Sequence, residues 1–226
     1  MRPTIIGTVL AAALLVGCEG NFPAGGPQYE TAKRAYDPER LTRSLREIEA
    51  WHIEHKTTVA ESLRQGIPVR SIEAAFAGEG CTPTDELKAL WSWRNGARSA
   101  VPFIWYHDFL SVEEAKSEYR ALRWNPFVRW DPNYVPVFAF EGEWYASYCG
   151  PQGKASGPVV FFSLEDEPRV TYINLTTFLS TMAEAMRSGA VSWENGAMAD
   201  DIREVYRIHQ RHNRGYAFPY HVPKGP

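Results

Sequence analysis

Val135-Pro136-Val137-Phe138-Ala139-Phe140, Glu141-Gly142 and Glu143-Trp144-Tyr145-Ala146-Ser147-Tyr148-Cys149 form the stretch on which the fold turns. Two runs of apolar, aromatic and β-branched residues flank a two-residue turn containing glycine, the pattern of a β-hairpin. After a loop from Gly150 to Gly157, Val159 to Leu164 predicts a third strand and Arg169-Val170-Thr171-Tyr172 a short fourth. These strands follow one another without intervening helices, so they pair antiparallel. Helical periodicity is confined to the flanking segments. The chain therefore reads as an α+β domain, a central antiparallel sheet of about four to six strands with flanking helices, and not as a parallel βαβ fold.

Upstream, Pro38 to Gln65 reads as one long helix. Leu41, Leu45, Ile48, His52, His55, Val59 and Leu63 recur at spacings of four and three, a single stripe. Gly66-Ile67-Pro68 stops it. A short helix from Val69 to Ala77 ends at Gly78-Glu79-Gly80. Thr82 as cap, Pro83 in the first turn, and Asp85 and Glu86 at the positive end open the next helix, which Asn95-Gly96 closes. Pro102 to Tyr106 predicts a strand, and Ser111-Val112-Glu113-Glu114 is a capping box starting a helix to Leu122. Trp124 to Asn133 is a loop. Downstream, Asn174 caps a helix that ends at Gly189, and a last helix spans Ala199 to Arg211. With these extra N- and C-terminal helices the domain covers 38–212. The tail 213–226 holds Pro219, Pro223 and Pro226 and is expected to be loose.

The N-terminus predicts a destination. Arg2 precedes an apolar stretch from Ile5 to Val16. It is too short for a membrane-spanning helix, which needs about 20 apolar residues, but it suits the core of a secretory signal. Leu15-Val16-Gly17-Cys18 follows and resembles the bacterial lipobox. Residues 1–17 thus read as a lipoprotein signal peptide and Cys18 as the thiol that takes the lipid. Residues 18–37, rich in Gly and Pro, read as a flexible tether. Cys18 would place the chain in the cell envelope, lipid-anchored. Glu19, where an aspartate would favour the inner membrane, points to the periplasmic side of an outer membrane if there is one.

Composition narrows the partners. Removing residues 1–17 takes away Arg2 and no acid, so the formal net charge moves from −3 to −4. That mildly acidic balance suggests neither a basic face for nucleic acid nor a polybasic membrane patch. Eight Trp and eleven Tyr exclude a disordered chain. Cys81 and Cys149 remain in the body and could pair outside the cytoplasm.

Order and spacing then carry a family resemblance. Thr82-Pro83-Thr84-Asp85-Glu86-Leu87-Lys88-Ala89-Leu90 running into Trp93-Arg94-Asn95-Gly96 resembles the "Leu-Pro-x-Asp-Leu … Asn-Gly" opening of the SUKH superfamily, the Smi/Knr-like proteins. Leu110-Ser111-Val112-Glu113-Glu114 is similar to that family's next helix start. Trp130, the Val135-Pro136-Val137-Phe138 strand, the Glu141-Gly142-Glu143 turn and the closing segment Tyr172 to Leu179 follow in the family's order. The likeness covers about residues 67–188. The turn is Glu-Gly-Glu where the family tends toward Gly-Gly-Asp, and the first and last helices are additions. The resemblance implies a non-catalytic protein-binding domain, often an immunity protein that binds and neutralises a toxin. The alternatives are a cell-envelope hydrolase with an unrecognised site, and a structural or scaffold lipoprotein.

No residue pattern argues for catalysis, a metal or a cofactor. His52/His55 and His209/His212 each sit three apart on a helix face, yet no further ligands complete a zinc set; packing histidines are the simpler account. Cys149-Gly150-Pro151 is better explained by a strand-end cysteine than by a nucleophile. The candidate partner-binding residues are Trp130, Glu141, Glu143, Trp144, Tyr145, Glu165 and Asp166. If the turns at 141–142 and 165–167 share one end of the sheet, they make an acidic rim beside aromatic anchors, as protein-binding surfaces do. The oligomeric state is left open.

Overall fold

A computed structural model describes residues 31–32, 35–98, 101–150 and 154–223. The signal peptide, Cys18 and most of the tether lie outside the described residues. Seven helices and ten strands are described in chain order. They are α1 (Pro38–Glu54), α2 (Val59–Ser62), β1 (Leu63–Gln65), α3 (Val69–Phe76), α4 (Asp85–Trp93), β2 (Arg94–Ala97), β3 (Pro102–Ile104), β4 (His107–Phe109) and α5 (Val112–Trp124). Then come β5 (Tyr134–Phe140), β6 (Glu143–Tyr148), β7 (Val159–Ser163), β8 (Arg169–Tyr172), α6 (Leu175–Ser188), β9 (Val191–Glu194), β10 (Ala197–Asp200) and α7 (Ile202–His212).

The architecture is α+β. Six antiparallel strands form one meander in the order β3-β4-β5-β6-β7-β8, with two small two-stranded sheets, β1-β2 and β9-β10, beside it. Side chains alternate across the pleat. Tyr145, Phe161 and Tyr172 enter the main core against Leu175, Phe178, Leu179 and Met182 of α6. Trp144, Phe162 and Leu122 form a second, smaller core on the opposite face, with Val128 and Trp130 of the loop after α5. At about 25 cal/mol per Å² of apolar surface removed from water, this burial on both faces drives the fold. α1 lies along α6, and the Ser44 and Ser180 hydroxyls meet at 3.0 Å.

Several boundaries differ from the sequence expectation, each for a local reason. The stripe from Pro38 to Gln65 is not one helix. α1 stops at Glu54 in a Schellman motif: Lys56 takes φ 51°, Thr57 N–H donates to His52 O at 3.0 Å, and Lys56 N–H donates to Ile53 O at 3.1 Å. A short turn and strand β1 follow, so His55, Val59 and Leu63 matched the helical period without sharing a helix. Thr82 is not the cap of α4. Its N–H is drawn to the Cys149 carbonyl at 2.7 Å, and Thr84 caps instead, accepting from Leu87 N–H at 3.3 Å.

Asn95-Gly96 is a joint, not merely a helix stop. Asn95 Oδ1 accepts the Val112 N–H at 2.9 Å, and Gly96, at φ 74°, lies so close to α5 that a Cβ would sit 2.3 Å from Ser111 N. The capping box of α5 is present: Ser111 Oγ accepts from Glu114 N–H and Glu114 accepts from Ser111 N–H. Two hairpins escaped the sequence reading. Trp105, at φ 51°, turns β3 into β4, and Asn195-Gly196, at φ 53° and 81°, joins β9 to β10 as a type I′ turn does. The second hairpin displaces the last helix, which starts at Ile202 behind the cap Asp201, not at Ala199.

The two ends of the expected domain are also tied down. Ala32, within the supposed tether, is buried, and its carbonyl accepts from Ser156 Oγ at 3.2 Å and Asn174 Nδ2 at 2.9 Å. The tail is not loose through 213–220. Asn213 is buried and donates from Nδ2 to Thr181 Oγ1 at 3.0 Å, while Phe218 and Tyr220 pack on the core. Proline content misled because it argues against helix, not against packing.

Candidate functional site

The β5–β6 and β7–β8 hairpins reverse at the same end of the sheet. Glu143 pairs with Ser163 across β6 and β7, and Leu164 N–H donates to Gly142 O at 3.1 Å. Glu141 at φ 39° and Gly142 at φ 90° make the tight turn. The two turns therefore bring together the acids that the sequence singled out. The Glu143 carboxyl is held above its usual pKa, first by burial and then by Glu165 and Asp166. Glu141, Glu165 and Asp166 are exposed beside it.

The aromatic anchors do not share that surface. The pleat sends Trp144 and Tyr145 to opposite faces. Tyr145 is fully buried in the main core, so its expected role as a surface anchor is overturned. Trp144 is buried against Phe162, and its Nε1–H donates to Glu118 at 3.2 Å. Trp130 is half-buried and meets Phe162 edge-on at 5.3 Å. These tryptophans build the small outer core more than they face a partner.

What faces solvent is Trp124 at the end of α5, Phe127 in the loop after it, and Leu164, which was expected to end the third strand and lies just past β7. Phe127 is 95% exposed, Trp124 77% and Leu164 60%, values that isolated core aromatics and leucines do not show. Phe127 and Leu164 line one open cleft of 260 Å³ with Val128, Arg129, Glu165 and Asp166. The lining is mainly polar and charged, with Phe127 and Leu164 set among Arg129, Glu165, Asp166 and Glu167. Arg129 approaches Glu167 at 3.9 Å across it. For Phe127 the available signal was Asn125-Pro126-Phe127: an aromatic directly after residues that stop α5 at Trp124 and so keep it off a helix face.

The same end of the sheet holds a buried polar group that the sequence reading did not single out. His107 is fully buried among Phe140, Tyr145 and Phe161. Burial pushes its pKa down to about 3. Glu143 Oε2 lies 3.8 Å from Nε2, beyond hydrogen-bond reach, and neither ring nitrogen has a hydrogen-bond partner.

The remaining candidate chemistry is structural. His52 Nε2–H donates to Phe103 O at 3.0 Å, and Nδ1 meets Thr57 Oγ1 at 2.9 Å. His55 Nδ1–H donates to Trp51 O at 2.8 Å. His209 Nε2–H donates to Thr171 O at 2.7 Å. His212 sits between Arg40 and Glu184, each at 2.6 Å. Both histidine pairs thus serve the structure: His52, His209 and His212 tie elements together, and His55 closes the end of α1. Cys81 and Cys149 are joined, with Cα atoms 5.2 Å apart, and Cys149 is not a free thiol. Among the described residues no three His, Cys, Asp or Glu side chains group as a metal site would need, and no helix is long and apolar enough to cross a membrane.

Comparison with curated proteins finds no match. The family model of the SMI1 / KNR4 family (SUKH-1) matches residues 69–181, half of the chain. The match runs from α3 into α6 and takes in the whole meander, the Asn95-Gly96 joint and the acidic end. On that span the chain belongs to the SMI1 / KNR4 family (SUKH-1).

Proposed function

We propose that this chain is a membrane-anchored binding protein of immunity type, which captures and neutralises a protein toxin in the cell envelope and catalyses nothing. The family is known for immunity-type proteins. The observation that carries the reading is the cleft of Phe127 and Leu164 edged by Glu165 and Asp166. Exposed large apolar side chains grouped beside charge are what a protein partner covers. Catalysis would ask for a nucleophile or acid–base pair open to substrate, whereas His52, His107 and His209 are buried and Cys149 is bonded.

The anchor belongs to the same proposal. Cys18 takes the lipid, and residues after it hold the domain at the membrane where an incoming toxin passes. The test has two arms. Radiolabelled palmitate should enter the native chain and not Cys18→Ala. Photo-crosslinkers placed at Phe127 and Leu164 in envelopes challenged with secreted toxins should trap one polypeptide, and protection should be lost with the anchor. Equal labelling of both chains refutes the anchor, and protection that survives loss of the crosslinked face refutes the binding site.

A further inference from the structure

Residues 214–220 leave α7 and cross the acidic end of the sheet. Tyr220 packs against Trp105 with ring centroids 5.3 Å apart and against Phe161 at 5.7 Å, and its hydroxyl accepts from Tyr145 Oη at 2.9 Å. Phe218 lies edge-on to His209 at 5.2 Å, and the Pro219 carbonyl accepts from Arg169 Nη2 at 3.1 Å. Arg169 also holds Asp166 of the rim at 3.1 Å. Nearly everything that fixes this strap is a side chain. Among the described residues, no backbone N–H of 217–220 donates to another backbone group, so lifting the strap breaks no ladder.

Two polar groups at this end are left unsatisfied while the strap is down. Trp105, which packs on Tyr220, is buried with no partner for Nε1–H, and His107 is buried with none for either nitrogen. Buried donors and acceptors of this kind are rare in native structures, and each one asks what satisfies it. The strap's own chemistry indicates what fits. Arg214, Phe218, Pro219, Tyr220 and His221 make an aromatic–proline segment between basic residues, which meets the rim at Glu143, beside Tyr220, and at Asp166, through Arg169.

We propose that the strap is a removable plug, and that the slot beneath it receives an extended segment of the partner protein carrying an aromatic residue with basic flanks. The partner segment offers what Tyr220 does not: a hydrogen-bond acceptor for the Trp105 indole N–H. The slot adjoins the exposed Leu164 cleft through Asp166, so a partner seated on that cleft reaches it directly. This inference rests on the proposed protein-binding function and deepens it.

The test uses the full chain and a labelled peptide of residues 214–223 as probe. In the Phe218→Ala/Tyr220→Ala double variant the slot is empty, and the probe should bind at least tenfold more tightly than to the native chain, shifting the Trp105 indole N–H resonance. A probe with alanine at position 220 should lose that binding. Equal binding to both chains, or none to a variant that keeps its cooperative unfolding, overturns the plug. A concentration-dependent dimer of the native chain formed by strap exchange overturns it too, because the occupant is then a second copy. Should the double variant not fold, hydrogen exchange on the native chain decides. The Ala217, Phe218 and Tyr220 amides should exchange at least a hundredfold faster than those of α6, and equal protection overturns the proposal. A captured partner that the probe does not compete away overturns the slot's role and leaves the proposed function standing. Probe binding with no partner captured at all removes the proposed function and leaves a peptide slot.

Discussion

Glu86 accepts both the backbone N–H of Thr176, at 2.8 Å, and its hydroxyl, at 2.6 Å, so one carboxyl group joins the first turns of α4 and α6. Ser156 Oγ donates to it at 2.8 Å. Glu86 is fully buried, and burial raises its pKa to about 7 against the pull of these donors. The folded state therefore holds a proton that the unfolded chain has released. Stability from this group is fully present below its ordinary value of 4.5 and is lost as pH rises through about 7. The loss is on the order of 3 kcal/mol. Glu86→Gln should remove the slope, so that the native chain weakens relative to the variant between pH 5 and 8 in urea unfolding. A difference that does not change with pH refutes the account. Glu86→Ala, which strands the Thr176 donors, should cost about 2–4 kcal/mol at pH 6.

The contrast between Glu86 and Glu143 shows what the sequence carries. Five of the meander's six strands were legible as runs of apolar, aromatic and β-branched residues between turns and loops, and Ser111 and Asn174 announced their helices through local capping chemistry that needs no tertiary partner. Glu86 looked like any acid in a first helical turn. Its burial depends on α6 arriving beside α4, ninety residues away, and no local signal encodes that. The acidic rim was legible because hairpin connectivity alone fixes which turns share an end. Tyr145 was misplaced as a surface residue, since which face of a strand is solvated depends on what covers each face. Phe127 was missed because exposure of a loop aromatic is set by the loop's path.

His107 should show the opposite pH dependence. Its pKa falls to about 3 in the folded state from an ordinary 6.5. The unfolded chain thus takes up a proton first, and stability is lost as pH falls from 6.5 toward 3. His52, lowered to about 4 by burial, acts in the same direction. His107→Phe suits the ring cluster of Phe140, Tyr145 and Phe161. Relative to the native chain it should gain about 2 kcal/mol more at pH 5 than at pH 7.5. Parallel unfolding curves for the two chains across that range would show that the imidazole is not protected from protons.

Gly96 should tolerate no side chain. At φ 74°, with backbone atoms of Ser111 occupying the space of a Cβ, Gly96→Ala combines left-handed strain with a clash that no rotamer relieves. The expected cost is about 3 kcal/mol or more. Asn95→Ala, which leaves the Val112 N–H without its acceptor, should cost about 1–2 kcal/mol. Thermal unfolding of both variants measures this, and a Gly96→Ala chain as stable as the native one would mean that β2 and α5 are free to separate.

The exposed cleft gives the sharpest separation of binding from folding. Phe127 and Leu164 contribute little to either core because most of their surface is already in water. Phe127→Ser with Leu164→Asp should therefore change stability by no more than about 0.5 kcal/mol, yet weaken partner capture by at least about a hundredfold, as loss of central apolar anchors does. Glu165→Lys with Asp166→Lys tests the rim separately. Reversing exposed charge acts mainly on the rate of encounter, so its effect should shrink as salt rises from 50 to about 300 mM, whereas the effect of the apolar pair should not. Surface plasmon resonance of the captured polypeptide at both salt concentrations distinguishes the two. An apolar pair that leaves capture intact moves the binding face away from this cleft, whatever the charge reversal does.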